Sequence, residues 1–288
     1  MGACWDGARE KECWGDWWPF AISFVRNPSV NNGETLDFYN IVLRLPYAII
    51  WIWLQLLVLD LSNQRRVDSV VEDTLNKPWR PIPSGRLTEH HARQLLLASI
   101  PVTYILSQYT LGGTFETVAL FVLNWIYNDL DASGNCILRN VLNALGITCI
   151  GAGARAVIAG GSSCTLDPDG QAWLVVCAGV VLTTIQAQDL YDQEGDSKRG
   201  RKTMPLVLGD GAARWLTAGP VLMWSVTIPA YWSAGSLVGW VVSLFPGAVV
   251  GARLLIFRDV KSDRKTFKLW ALWLIGLYAM PAIKATFG

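Results

Sequence analysis

Apolar residues recur in runs too long for the interior of a water-soluble domain, and the polar residues collect between them. About 20 apolar residues carry a helix across a bilayer. Eight stretches reach or approach that length, at roughly 43–61, 92–111, 114–128, 140–160, 171–189, 212–232, 236–256 and 267–286. A ninth around Trp17–Val25 is short for a crossing, and reads as a truncated first span or an interfacial helix anchored by Trp14, Trp17 and Trp18. The pattern predicts an all-α polytopic bundle of about nine transmembrane helices, the first one weak. Nothing between the runs is long enough for a second folded unit, so residues 1–288 read as a single transmembrane domain.

Composition sharpens the class. Of 288 residues 52% are hydrophobic and only 16% charged, against about 25% charged in a soluble domain. A net charge of +1 removes the electrostatic footprint of a nucleic-acid binder. Six Cys show neither CxxC spacing nor neighbouring His, which argues against thiolate metal sites and a disulfide framework. The N-terminus lacks the apolar core of a secretory signal, and Asp6 stands where a myristoylation motif wants Ser or Thr.

Charge sorts the loops. With the weak stretch counted first, the loops after even-numbered spans hold fourteen Lys and Arg, whereas those after odd-numbered spans hold only Arg26. The positive-inside rule places the basic loops in the cytosol, in a protein expected in the endoplasmic reticulum membrane.

The same cytosolic loops carry two acidic clusters. Asp68, Glu72 and Asp73 follow the second span and precede Lys77 and Arg80; Asp189, Asp192 and Asp196 follow the sixth and precede Lys198, Arg201 and Lys202. Two such units four spans apart resemble a parallel internal repeat. Asp189, Asp192 and Asp196 fall at i, i+3 and i+7, one face of a continuing helix. Carboxylates so crowded raise one another's pKa unless a cation joins them, and Mg²⁺ suits one or two carboxylates plus phosphate oxygens. Basic residues beside them suit the remaining diphosphate charge. The combination points to an amphiphile with a diphosphate head and an apolar tail.

At these residues the chain resembles the UbiA-type intramembrane prenyltransferase superfamily, through NKPWRPIPSGRLT (76–88), NVLNALG (140–146) and AQDLYDQEGDSKRGRKTMPL (187–206). The resemblance runs from about residue 50 and implies a nine-helix bundle in which Mg²⁺ and the two motifs bind and ionise a prenyl diphosphate. It makes Asp73, Asp189, Asp192 and Asp196 the catalytic acids. The first motif departs from the family spacing, with Ser69 four and Arg65 eight residues before Asp73; Asn63, Asp68 and Asp73 recover the residue types only with insertions, so whether Asp68 or Glu72 joins the metal stays open. The SNQ…EDxxNKPWRP form looks like fungal UbiA-type terpene cyclases, which cyclise the prenyl chain.

Arg139 and Asn143 match a segment near the family's active site. Trp125 and Tyr127, close to Asn128, are candidate rings for stabilising a carbocation. Arg155, well inside a span, reads as a functional-site candidate or a structural arginine. Thr88 reads as a helix N-cap ahead of His90 and His91. The leading expectation is an Mg²⁺-dependent cyclase acting on farnesyl diphosphate to give a sesquiterpene. Prenyl transfer to an aromatic or polycyclic acceptor is the alternative within enzymes, and a membrane transporter the alternative of another class.

Overall fold

The computed structural model describes residues 38–160, 168–232 and 237–287; the weak stretch at Trp17–Val25 lies outside them. Among the described residues the fold is built of helices, and the β-type pairing is one isolated bridge between Asn135 and Lys202. The helices run in chain order as α1 (Phe38–Gln64), α2 (Val67–Asn76), α3 (Glu89–Leu106), α4 (Thr114–Asn128), α5 (Cys136–Ile158), α6 (Pro168–Thr184), α7 (Asp189–Arg199), α8 (Met204–Leu208), α9 (Asp210–Tyr231), α10 (Leu237–Ile256), α11 (Val260–Tyr278) and α12 (Met280–Phe287).

Every expected run from 43 onward falls on helix, but the runs differ in length and polarity. Among the described residues four helical stretches qualify by length and apolarity to cross a membrane, at 39–64, 136–158, 168–187 and 237–256, and a fifth if α11 and α12, bent by 47°, count as one. The others miss for physical reasons: α4 has 15 residues, and α9 opens on a polar turn holding Asp210 and Arg214. The run expected at 92–111 is α3 extended by a π-helical turn over Ser107–Leu111, and Thr88 caps it, its side chain accepting from the His91 amide.

Small residues let the helices close on one another. A Cβ on Gly153 of α5 would lie 2.1 Å from the Trp51 ring of α1, and one on Gly247 of α10 would lie 1.9 Å from Ser225 Oγ of α9. Trp51 is fully buried there with Ala48, Ile150, Ala154 and Val157, while Trp173, Val181, Val221, Trp270 and Trp273 centre a larger core in the C-terminal half. Outward-facing Leu97, Phe115, Leu237 and Phe245 are largely exposed, an apolar exterior of the kind that a lipid solvent covers.

Arg155 is buried on α5. A second buried guanidinium, Arg214, bonds Asp263 through both terminal nitrogens at 2.7 Å and ties α9 to α11.

Candidate active site

Two short helices outside the qualifying spans carry the acidic clusters. α2 is amphipathic, with Ser69, Glu72, Asp73 and Asn76 on its buried side, a face that helical periodicity creates from positions three and four apart. It packs on α7, which a 3₁₀ turn at Ile185–Ala187 sets off from α6. Asp189, Asp192 and Asp196 share the buried face of α7 at 2%, 1% and 0% exposure. Asn76 clasps the two helices: its Nδ2 donates to the Asp192 carbonyl at 3.0 Å, and its Oδ1 accepts from the Gly195 amide at 3.2 Å. Only glycine fits at 195, because a Cβ there would stand 2.3–2.7 Å from the Asn76 amide. Gly200, at φ +79°, ends α7 in the left-handed conformation suited to glycine. The turn brings Arg201 back over Asp196 and Glu72.

The charges pair across the two clusters. Lys77 reaches Asp192 at 3.1 Å. Arg199 bonds Asp68 at 3.0 Å and Glu72 at 2.9 Å, and Arg201 bonds Glu72 at 2.9 Å and Asp196 at 3.3 Å. Within the first cluster Arg80 holds both oxygens of Asp73 at 2.9 and 2.8 Å. Arg139 of α5 donates to Asp189 at 3.0 Å and to the Tyr127 hydroxyl at 2.8 Å. Burial pushes the Asp196 carboxyl up to about 6 and also raises Asp189, against the pull of Arg139. Burial would raise Glu72 and Asp68 too, but Arg201 and Arg199 hold both below the usual carboxylate range.

Beneath these helices opens a cavity of about 340 Å³. Its polar mouth is formed by Asp60, Asn63, Lys77, Arg80, Gln188 and Arg264, and its walls by Leu120, Phe121, Ile147, Ile150, Phe267 and Leu274, with Tyr127 and Asn143 also lining it. The expected substrate residues thus divide. Asn63, Lys77, Arg80, Tyr127 and Asn143 line the cavity. Arg139 and Arg201 stand behind it, buried on the carboxylates, while Lys198 and Lys202 are exposed to the outside. Trp125 is 54% exposed and lies outside the wall; one face of α4 takes Tyr127 inward and leaves Trp125 out.

The six acids do not converge on one point, and among the described residues no three His, Cys, Asp or Glu gather closely enough to hold a metal ion. What α7 offers instead is one buried carboxylate oxygen without a hydrogen-bond partner on each of Asp189 (Oδ2), Asp192 (Oδ1) and Asp196 (Oδ2). Unsatisfied buried carboxylate oxygens are costly, and hard oxygen donors in small number are what Mg²⁺ accepts when phosphate supplies the rest. The donor set therefore fits the ion.

Several lining residues escaped the sequence reading, notably Asp60, Trp79, Gln188, Tyr191 and Arg264. For Arg264 a signal existed: Arg264, Phe267, Lys268, Ala271, Leu274 and Ile275 recur at helical spacing, running from basic to apolar along one face of α11.

Against known proteins, the model of the UbiA prenyltransferase family matches residues 41–275. The fumagillin beta-trans-bergamotene synthase of Aspergillus fumigatus is 29% identical over 238 residues, 80% of this chain and 78% of that protein. A polyprenyl transferase of Hericium erinaceus is 30% identical over 263 residues, 87% and 83% of the two chains. In fold, a UbiA homologue from Archaeoglobus fulgidus bound to GPP and Mg²⁺ superposes with a TM-score of 0.62, covering 95% of this chain and 97% of that one at 14% identity. A charged mouth over an apolar cavity, on a bundle of this shape and with a family match over most of its length, identifies the chain as a member of the UbiA prenyltransferase family, an enzyme of the prenyl-diphosphate-using kind, terpene cyclase or prenyltransferase.

Proposed function

We propose that the protein is an Mg²⁺-dependent terpene cyclase that ionises farnesyl diphosphate and closes it to a sesquiterpene, working from the cytosolic face of the endoplasmic reticulum membrane as a single domain of about nine spans. One observation carries this reading: a single cavity joins a charged mouth to apolar walls. Its volume, about 340 Å³, sits at the low end of ligand pockets, roughly 300–1,000 Å³, and favours a short prenyl chain. The relative named for a bergamotene synthase supports cyclisation.

Bound through Asp189, Asp192 and Asp196, Mg²⁺ would neutralise diphosphate charge and make it a better leaving group. Lys77 and Arg80, already at the mouth, take diphosphate oxygens in exchange for Asp192 and Asp73. Asn63 and Asn143 offer amide groups beside them. When the C–O bond breaks, its electron pair leaves with the diphosphate and an allylic cation remains in the cavity. Apolar walls keep water from quenching it, and the faces of Phe121, Tyr127, Phe267 and Trp270 present electron density to the positive charge. A distal double bond then closes on the cation, and loss of a proton to the released diphosphate ends the sequence. The polar mouth ionises and the walls steer.

Membranes containing the protein, given farnesyl diphosphate and Mg²⁺ without an acceptor, are expected to yield a cyclic hydrocarbon or terpene alcohol. Product appearing only once an aromatic acceptor is added would establish prenyl transfer instead, the reading that likeness to the Hericium transferase favours. Family membership sets transport aside.

A further inference from the structure

Five basic residues around the two clusters are committed to acids: Lys77 to Asp192, Arg80 to Asp73, Arg139 to Asp189, Arg199 and Arg201 to Glu72. Arg264 differs. It comes from α11, which carries neither acidic cluster, and lines the cavity mouth. Among the described residues its guanidinium meets no carboxylate at ion-pair distance. It lies 5.4 Å from the ring centroid of Trp79 and 5.6 Å from that of Tyr191. Its Nη2 makes one long hydrogen bond, 3.4 Å, to the Asn76 carbonyl. Trp79 follows α2, Tyr191 belongs to α7, and both rings also line the cavity.

Aromatic faces hold a guanidinium by cation–π attraction without neutralising it, and they leave its N–H edges open. Arginine presents those edges as a planar fork that matches phosphate oxygens. We propose that Arg264 is a diphosphate-binding residue of this site, carried by α11 and positioned by the Trp79 and Tyr191 rings, and that its unneutralised charge discriminates a diphosphate head from a monophosphate. The assignment rests on the prenyl-diphosphate reading above. No covalent step is involved: Arg264 supplies a fixed positive charge to the bound head group.

Detergent-solubilised full-length chain, titrated with farnesyl thiodiphosphate and with farnesyl monophosphate in Mg²⁺ while tryptophan fluorescence is followed, tests it by binding alone. Arg264→Gln is expected to weaken thiodiphosphate binding by about tenfold, the scale of one lost charge-assisted contact, and monophosphate binding by clearly less. Arg264→Lys should fall between the variant and the wild type, because it restores charge without the fork. If Arg264→Gln does not fold, Tyr191→Leu, which removes one clamping ring and leaves the arginine, should move the same affinity ratio in the same direction by a smaller factor. An unchanged thiodiphosphate-to-monophosphate ratio in a folded variant would overturn the assignment and leave Arg264 a structural latch. Wild-type chain that binds the thiodiphosphate yet makes no product from farnesyl diphosphate without an acceptor would overturn cyclisation only, and wild-type chain that does not bind the thiodiphosphate would overturn both.

Discussion

Asp192 is the residue on which the charge arrangement turns, since it faces Lys77 with one oxygen and keeps the other without a partner. Asp192→Ala should cost about 10²–10³ in turnover, as losses of preorganised charge do, measured as product formed at saturating Mg²⁺ and matched expression. Asp68→Ala should be milder: its side chain is 36% exposed and shares Arg199 with Glu72. Asp68 and Glu72, which spacing leaves as alternatives, have different neighbours. Glu72 is buried between two arginines, so its loss takes one carboxylate from each of two cations at once and leaves Arg199 to Asp68 and Arg201 to Asp196. Asp196 adds a dependence on pH. Its carboxyl is held up to about 6 first by burial, with Glu72 and Asp189 adding to the effect and Arg139 and Arg201 opposing it. An acid raised by folding keeps a proton that the unfolded chain has released, so stability declines as pH rises from about 4 to 6 and stays lower above that. Protein stripped of divalent ions should therefore melt higher at pH 5 than at pH 7. Asp196→Asn should shrink that difference and raise Tm at pH 7 by about 2–4 °C, which a melting series in chelator checks.

At the level of helices, the sequence was most legible where periodicity was strongest. The i, i+3, i+7 spacing of Asp189, Asp192 and Asp196 forecast one shared face, and α7 has it. The amphipathic α2 hid its own arrangement, because a face built from Ser69, Glu72, Asp73 and Asn76 takes meaning only from its packing partner. Nor could spacing reveal that arginines at and just beyond the end of α7 serve the acids of α2, since that pairing joins residues 127–131 positions apart. Trp125 and Tyr127 differ for a local reason: two residues apart on a helix they point to different sides, and only one side meets the cavity. The contact between α2 and α7 should be sensitive at its glycine. Gly195→Ala would drive a methyl into the buried Asn76 amide, and overpacking of this kind costs about 1–3 kcal/mol. A lower Tm together with weakened Mg²⁺-dependent stabilisation is the expected result, and Asn76→Ala in the same background should recover part of the loss.

For the molecule as a whole, the number and direction of crossings are expectations from charge and length. With the basic loops facing the cytosol, a cysteine placed at Lys198 or Lys261 in a background free of native cysteines should react with an impermeant maleimide in right-side-out cytosolic access, and one at Glu116 only after the membrane is opened. The cavity itself divides labour along its depth. Head-group residues at the mouth come from the segment after α2, the turn before α7 and the polar ends of α1 and α11, whereas the walls come from the apolar stretches of α1, α4, α5 and α11. Gly146 lies in that wall, and a Cβ there would meet nothing within 4 Å. Gly146→Ala and then Gly146→Val should consequently leave release of diphosphate nearly intact while shifting the proportions of hydrocarbon products, read by gas chromatography. For a lineage drifting under mutation, such a layout makes the chemistry that activates a substrate heritable separately from the shape that decides its fate, so new products can arise from single wall changes without a passage through inactive ancestors.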